Sequence, residues 1–255
     1  MNARYNMGTV LWLTGWSIQD SVFDRLRELL PDFHHATVDY SDANTPESML
    51  LQTELAAESL RSSKGLCGPL LIGGWSLGGL LALRLAANGL ADGLVLFAAT
   101  ARFTRPKEEA DRGWADVYVR QMIAGVTKDR EAVETKFRQM LFTDAELEAG
   151  LDKSLPPSCS WTISALIAGL QILRGNELLS QLKQIDCPVF LAHGTEDKIC
   201  PHGAASELAS SLPHAVLHTI PFCGHAPFLG REEEIVEQFR RWWHEQSDYR
   251  NSASI

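Results

Sequence analysis

The pentapeptide Gly74-Trp75-Ser76-Leu77-Gly78 constrains this chain more than any other feature. It closes the apolar run Pro69 to Trp75, which reads as a fully buried strand, and leads directly into Leu77 to Ala87, which reads as a buried helix. Glycines on both sides let the chain turn sharply. Ser76 is therefore expected in a strained backbone conformation above a sheet edge, at the positive N-terminal end of the helix.

The flanking sequence supplies neighbours for that strand. Further strands are expected at Thr9 to Thr14, Ala36 to Tyr40, Gly93 to Ala98, Pro188 to His193 and Ala215 to Ile220. Helices are expected at Ser21 to Leu30, Pro46 to Ser62, Gly203 to Leu212 and Arg231 to Glu245. Such alternation is the signature of an α/β fold, a mostly parallel sheet flanked by helices. From about Thr100 to Leu182 strand signals vanish and charged helical patterns replace them. Residues 1–99 and 183–255 are thus expected to form one core, and residues 100–182 an inserted helical lid. A chain of 255 residues, 45% hydrophobic, suits one large core. The polar tail from Gln246 is expected to fray.

A formal net charge of -9 gives the whole molecule no electrostatic reason to bind nucleic acid or an anionic membrane. The N-terminus does not read as a signal peptide, and no apolar run approaches the roughly 20 residues of a membrane span, so a cytoplasmic protein is expected. The five cysteines, Cys67, Cys159, Cys187, Cys200 and Cys223, lack CxxC spacing and are read as reduced thiols, mostly in the core. Neither a metal constellation nor a phosphate-binding glycine loop is present, so no metal and no cofactor are expected.

A serine hydroxyl is a weak nucleophile until a base takes its proton. Among eight histidines, His225 is the candidate base: Phe222-Cys223-Gly224-His225-Ala226-Pro227-Phe228 lies between the last expected strand and the last helix, at the carboxyl edge of the sheet. The acid that orients it belongs on the loop after the preceding strand. Asp197, in His193-Gly194-Thr195-Glu196-Asp197, meets that requirement, with Glu196 as the neighbouring rival. An oxyanion hole needs two backbone N–H groups. Leu77 is the first candidate, and Trp16, in the glycine turn Thr14-Gly15-Trp16-Ser17 after the first strand, is the second.

Taken together, Gly15-Trp16, Gly74-Trp75-Ser76-Leu77-Gly78-Gly79, Gly169-Leu170-Gln171-Ile172-Leu173, Gly194 with Asp197, and Gly224-His225-Ala226-Pro227-Phe228 resemble one family. It is that of the pimeloyl-[acyl-carrier protein] methyl ester carboxylesterases of biotin synthesis, within the α/β-hydrolase superfamily, and the resemblance runs from about Val10 to Trp242. It implies an α/β-hydrolase fold, Ser76, Asp197 and His225 as a catalytic triad, and Trp16 and Leu77 as oxyanion-hole residues. It also implies substrate contacts from Trp16, Phe137 and Leu170, and an acidic acyl-carrier protein as the partner. Small esters are expected as further substrates of a monomeric enzyme. Thr14 departs from the pattern, since many relatives have histidine there.

Between Arg102 and Arg138 there are nine basic and seven acidic residues, against 23 and 32 in the whole chain. A locally positive lid on a negative body could steer an acidic carrier protein, with Arg130, Lys136 and Arg138 as the contacts. Ile163, Leu166, Ile167, Leu170 and Leu173 recur at helical spacing, so they are expected to pack against the core, with some lining an acyl tunnel. Two other readings use the same fold: a broad small-ester carboxylesterase or thioesterase, and a non-catalytic binding module.

Overall fold

Six strands pair in parallel in the order β2-β1-β3-β4-β5-β6. The computed structural model describes residues 7–62, 68–158 and 160–252, with 247–252 described for their backbone. β1 (Thr9–Leu13), β3 (Leu70–Trp75), β4 (Gly93–Phe97) and β5 (Val189–Gly194) are buried along their whole lengths, as uninterrupted apolar runs must be when helices cover both sheet faces. β2 (His34–Thr37) and β6 (Ala215–Ile220) form the edges and are partly exposed. The chain steps from β1 out to β2 and then back across β1 to β3. That reversal opens a crevice at the carboxyl ends of β1 and β3, where ligands of open α/β sheets bind.

Around the sheet lie α1 (Asp24–Leu29), α2 (Pro46–Ser62), α3 (Leu77–Ala87), α8 (His202–Ser211) and α9 (Glu232–Ser252). α3 is buried on nearly every face, packed on β1, β3 and β4 below and on α2 above. Its approach to the sheet depends on Gly78, where a Cβ would stand 2.0 Å from the carbonyl oxygen of Leu13. Because the obstacle is backbone, no side chain can swing aside to relieve it. Gly78→Ala is therefore expected to destabilise the fold by about 3 kcal/mol or more, measured as a lowered urea midpoint.

Between β4 and β5 the described residues add no strand to the sheet. They form α4 (Asp116–Lys128), α5 (Arg130–Met140), α6 (Asp144–Glu148) and α7 (Ile163–Gly175); short turns join the first three, and a segment with a 3₁₀ turn at Leu151–Ser154 lies between α6 and α7. Thr143 begins α6 with a capping box closed by Glu146, and the Thr162 side chain caps α7. α7 docks on α2, α3 and α4. Leu166, Leu170 and Leu173 are buried as the helical spacing requires, whereas Ile163, at the first turn, is 46% exposed.

Three elements differ from the sequence reading by more than a one-residue shift. β2 starts at His34 and ends at Thr37; the apolar signal at Val38 to Tyr40 instead serves a loop in which the Tyr40 hydroxyl donates to the Thr14 carbonyl at 2.6 Å. The first helix divides into a 3₁₀ turn, Asp20–Phe23, and α1. α9 continues to Ser252, through most of the expected tail. Cys200 and Cys223 are buried free thiols and Cys187 is half-buried, while Cys67 and Cys159 lie outside the described residues. No helix among the described residues is long and apolar enough to cross a membrane.

Candidate active site

Ser76 connects β3 to α3 at φ 57° and ψ -115°, a region L-residues rarely occupy. Its N–H donates to the Phe97 carbonyl at 3.0 Å, and its own carbonyl accepts from Gly79 and Leu80. The backbone is thereby held from both sides. A serine at a helix start ordinarily turns its hydroxyl onto the first-turn N–H groups. Ser76 makes no such side-chain cap, so its Oγ is left for other chemistry.

Asp197 and His225 reach the same crevice from the loops after β5 and β6. His225 Nδ1 lies 2.7 Å from Asp197 Oδ2, both side chains fully buried. The other carboxylate oxygen, Oδ1, accepts from the backbone N–H groups of Ile199 and Cys200, each at 2.8 Å. Burial by itself would push this carboxyl up. The charge of His225 and hydrogen bonds from His193 and His225 outweigh it, so the pKa of Asp197 falls well below the usual carboxylate range. An ionised acceptor at Oδ2 fixes the proton of neutral His225 on Nδ1, which leaves Nε2 with the lone pair of a base. Nε2 is buried and makes no hydrogen bond among the described residues. Glu196, the rival acid, is exposed, and its backbone N–H donates to the Cys223 carbonyl while its carboxylate makes no ion pair among the described residues.

Gly194 allows these two loops to meet: a Cβ there would stand 2.2 Å from the carbonyl oxygens of both Cys223 and Gly224. Several residues that the sequence reading passed over hold the constellation in place. His193 Nε2 lies 2.7 Å from the Cys200 carbonyl and 3.2 Å from Asp197 Oδ2, supporting the carboxylate from behind. The Trp75 indole donates to the His225 carbonyl at 2.7 Å and thus fastens the histidine loop over the turn that carries Ser76. From the insertion, the Leu141 carbonyl accepts the His225 N–H at 2.7 Å. Glu146 accepts from the Gly224 N–H at 3.0 Å and pairs with Arg231 at 2.9 Å. Cys223, beside the histidine, is no rival nucleophile, because burial and the nearby Glu146 push its thiol up to about 12.

The loop after β1 passes close to Ser76: a Cβ on Gly15 would stand 3.5 Å from the Ser76 Cβ. Leu77 is the first residue of α3, and an N–H at that position has no partner within its helix. The Trp16 side chain is buried, donates from Nε1 to the Leu166 carbonyl at 2.7 Å and meets the Phe137 ring edge-on at 4.9 Å. At Gly169 the added Cβ would lie 2.9 Å from Trp16 and 3.1 Å from Leu77, so α7 rests directly on both residues. Leu170 is buried in the same helix. Trp16 thus meets Phe137 on one side and, across Gly169, Leu77 on the other.

Phe137 also lines a cavity of about 670 Å³ bounded by α4, α5 and the loop after Asp197. Trp114, Tyr118, Met122 and Met140 make its walls mainly apolar, and Lys107, Lys136 and Lys198 line it as well. The three basic residues of α5 singled out by charge behave differently. Lys136 is exposed and makes no ion pair among the described residues. Arg130 pairs with the buried Glu134 at 2.5 Å, and Arg138 donates to the Pro156 carbonyl. Arg105, Arg112 and Arg120 are also in ion pairs with neighbouring acids, so the positive face is narrower than the count of residues suggests. Among the described residues, no group of three or more His, Cys, Asp or Glu side chains is placed to hold a metal ion.

Several known proteins are similar to this chain. The sequence model of the alpha/beta hydrolase family matches residues 10–238. A pimeloyl-[acyl-carrier protein] methyl ester esterase of Nitrosomonas europaea is 33% identical over 244 residues, which cover 90% of this chain and 93% of that protein. A protein of the same name from Chromobacterium violaceum is 31% identical over 244 residues, covering 89% and 91%. Among solved structures, an esterase from Exiguobacterium antarcticum superposes with a TM-score of 0.78 at 20% identity, covering 92% of this chain and 91% of its own. MenH from S. aureus superposes with a TM-score of 0.72 at 16% identity, covering 96% of each chain. These two likenesses concern the fold.

Proposed function

The chain belongs to the alpha/beta hydrolase family and, within it, to the pimeloyl-[acyl-carrier protein] methyl ester esterases, and from that membership we propose that it removes the methyl group from pimeloyl-[acyl-carrier protein] methyl ester in biotin synthesis. The observation that carries the chemistry is the buried His225, bonded through Nδ1 to Asp197 while Nε2 stays uncommitted. Ser76 Oγ attacks the ester carbonyl as His225 Nε2 takes its proton. Asp197 keeps the tautomer correct and stabilises the imidazolium. The carbonyl oxygen, now negative, accepts from the N–H groups of Leu77 and Trp16. Collapse of the tetrahedral intermediate expels methanol, protonated by His225, and leaves the acyl group on Ser76. Water activated by the same histidine then releases the free carboxylate.

The acyl chain lies among Trp16, Phe137 and Leu170, and the mainly apolar cavity that Phe137 lines suits a linear aliphatic group. Arg130, Lys136 and Arg138 meet the acidic carrier protein, with Lys136 the most accessible of them. Lys136→Glu is expected to raise KM for the carrier-bound ester about 5-fold at low salt and to leave a short nitrophenyl ester unaffected. The difference should shrink as salt screens the attraction; an equal effect on both esters would remove Lys136 from the docking surface.

Mass spectrometry tests the substrate. Purified protein at low concentration is expected to demethylate pimeloyl-[acyl-carrier protein] methyl ester. Cleavage of the nitrophenyl ester alone would keep the serine esterase and discard the carrier-bound substrate.

A further inference from the structure

Ser17 follows Trp16 in the loop that bears one of the two oxyanion donors. It has a positive φ of 62°, yet it is not glycine and is 2% exposed. Non-glycine residues hold such a conformation only when their surroundings over-determine it. Here the surroundings are a carboxylate of the insertion: the Ser17 hydroxyl donates to Glu134 on α5, which is itself 2% exposed. Arg130, one turn earlier, fixes the other carboxylate oxygen at 2.5 Å. Phe137, one turn later on the same helix, holds the Trp16 ring. A buried acid is costly without partners, and among the described residues those of Glu134 are Arg130 on its own helix and Ser17 in the loop beside Ser76.

We propose that Glu134 is a positioning residue of the oxyanion hole, one that holds Ser17 in its left-handed conformation and thereby aims the Trp16 N–H at the reacting carbonyl. The proposal rests on the reading of Trp16 as an oxyanion donor. Glu134 touches no reacting atom. It acts through the direction of one N–H bond, and that direction matters most when the carbonyl oxygen becomes negative. The insertion is then part of the rate-determining geometry as well as the wall of the acyl site.

The test compares steady-state kinetics on a short nitrophenyl ester with the affinity for a trifluoromethyl ketone, which forms a tetrahedral adduct on the serine. Glu134→Ala is expected to lower kcat about 10- to 100-fold with KM within about 2-fold of wild type, because a misdirected oxyanion donor weakens the transition state and not the ground state. Affinity for the ketone should fall by the same factor. Glu134→Gln, whose amide oxygen still accepts from Ser17, should retain kcat within about 5-fold. Ser17→Gly should be less harmful than Ser17→Ala, since glycine takes a positive φ without the hydrogen bond. A Glu134→Ala variant with unchanged kcat, or one that loses thermal stability with ketone affinity intact, would overturn the proposal. Should Glu134→Ala fail to fold, the Gln variant and the Ser17 pair decide in the same way. Esterase activity that survived in Ser76→Ala would instead overturn the proposed function, which keeps the two failures distinct.

Discussion

Replacing Ser76 by alanine is expected to abolish turnover, lowering kcat by about 10⁶-fold on the scale seen when a serine nucleophile is removed from a triad, while the protein folds normally. The hydroxyl makes no cap on α3, so its removal leaves no structural bond broken. The measurement is single-turnover release of nitrophenol, with the urea midpoint as the control for folding. A residual rate within 100-fold of wild type would remove Ser76 from the nucleophile's role. The same position carries a second expectation. At φ 57° and ψ -115° the backbone is the mirror image of an ordinary extended conformation, and non-glycine residues hold it at a cost of roughly 1 to 3 kcal/mol. Ser76→Gly should therefore be as inactive as the alanine variant but more stable by about 1 kcal/mol, net of the entropy glycine adds to the unfolded chain.

Asp197→Asn is expected to lower kcat by about 10⁴-fold with little change in KM, a loss of the size known for this exchange in a serine protease triad. The hydrogen bonds here give the reason. Oδ1 accepts from two backbone N–H groups, so the amide of asparagine must place its oxygen there and its NH₂ where Oδ2 stood. That NH₂ faces His225 Nδ1 and His193 Nε2. His225 can then accept only through Nδ1 and carries its proton on Nε2, the tautomer that cannot receive one from Ser76. The two proteins should also differ in acid. With its pKa lowered in the folded state, Asp197 contributes stability that is fully present above the ordinary carboxylate pKa near 4 and is lost as pH falls further, toward the folded value. Urea unfolding of wild type should weaken below about pH 4, and the part of that loss owed to this carboxylate should be missing from Asp197→Asn.

Much of this site was legible because its signals are local. The turn around Ser76 needs glycines as immediate neighbours, and Asp197 and His225 each follow a strand at a short, fixed distance. Gly169 could be quoted as part of a pattern, but its reason, contact with Trp16 and Leu77, appears only in three dimensions. The supports were not legible. Glu134 and Ser17 are 117 residues apart, and Glu146 and Gly224 are 78 apart; a glutamate on a charged helix gives no local sign that it will be buried. Charge counting treated Arg130 and Arg138 like Lys136, although each arginine has a partner within the protein. β2 was placed too late because it is an edge strand, half exposed and without alternation, next to a loop whose tyrosine is more deeply buried than the strand itself.

The insertion grips the histidine loop through Leu141 and Glu146 and the loop after β1 through Glu134 and Leu166. Exchange of this segment between relatives, by recombination or by design, would therefore transplant the alignment of the reaction centre together with the choice of acyl group. Selection for a new substrate acting through this region would leave its mark on turnover as well, and descendants with altered specificity should owe their speed to compensating changes at positions 17, 134 and 146.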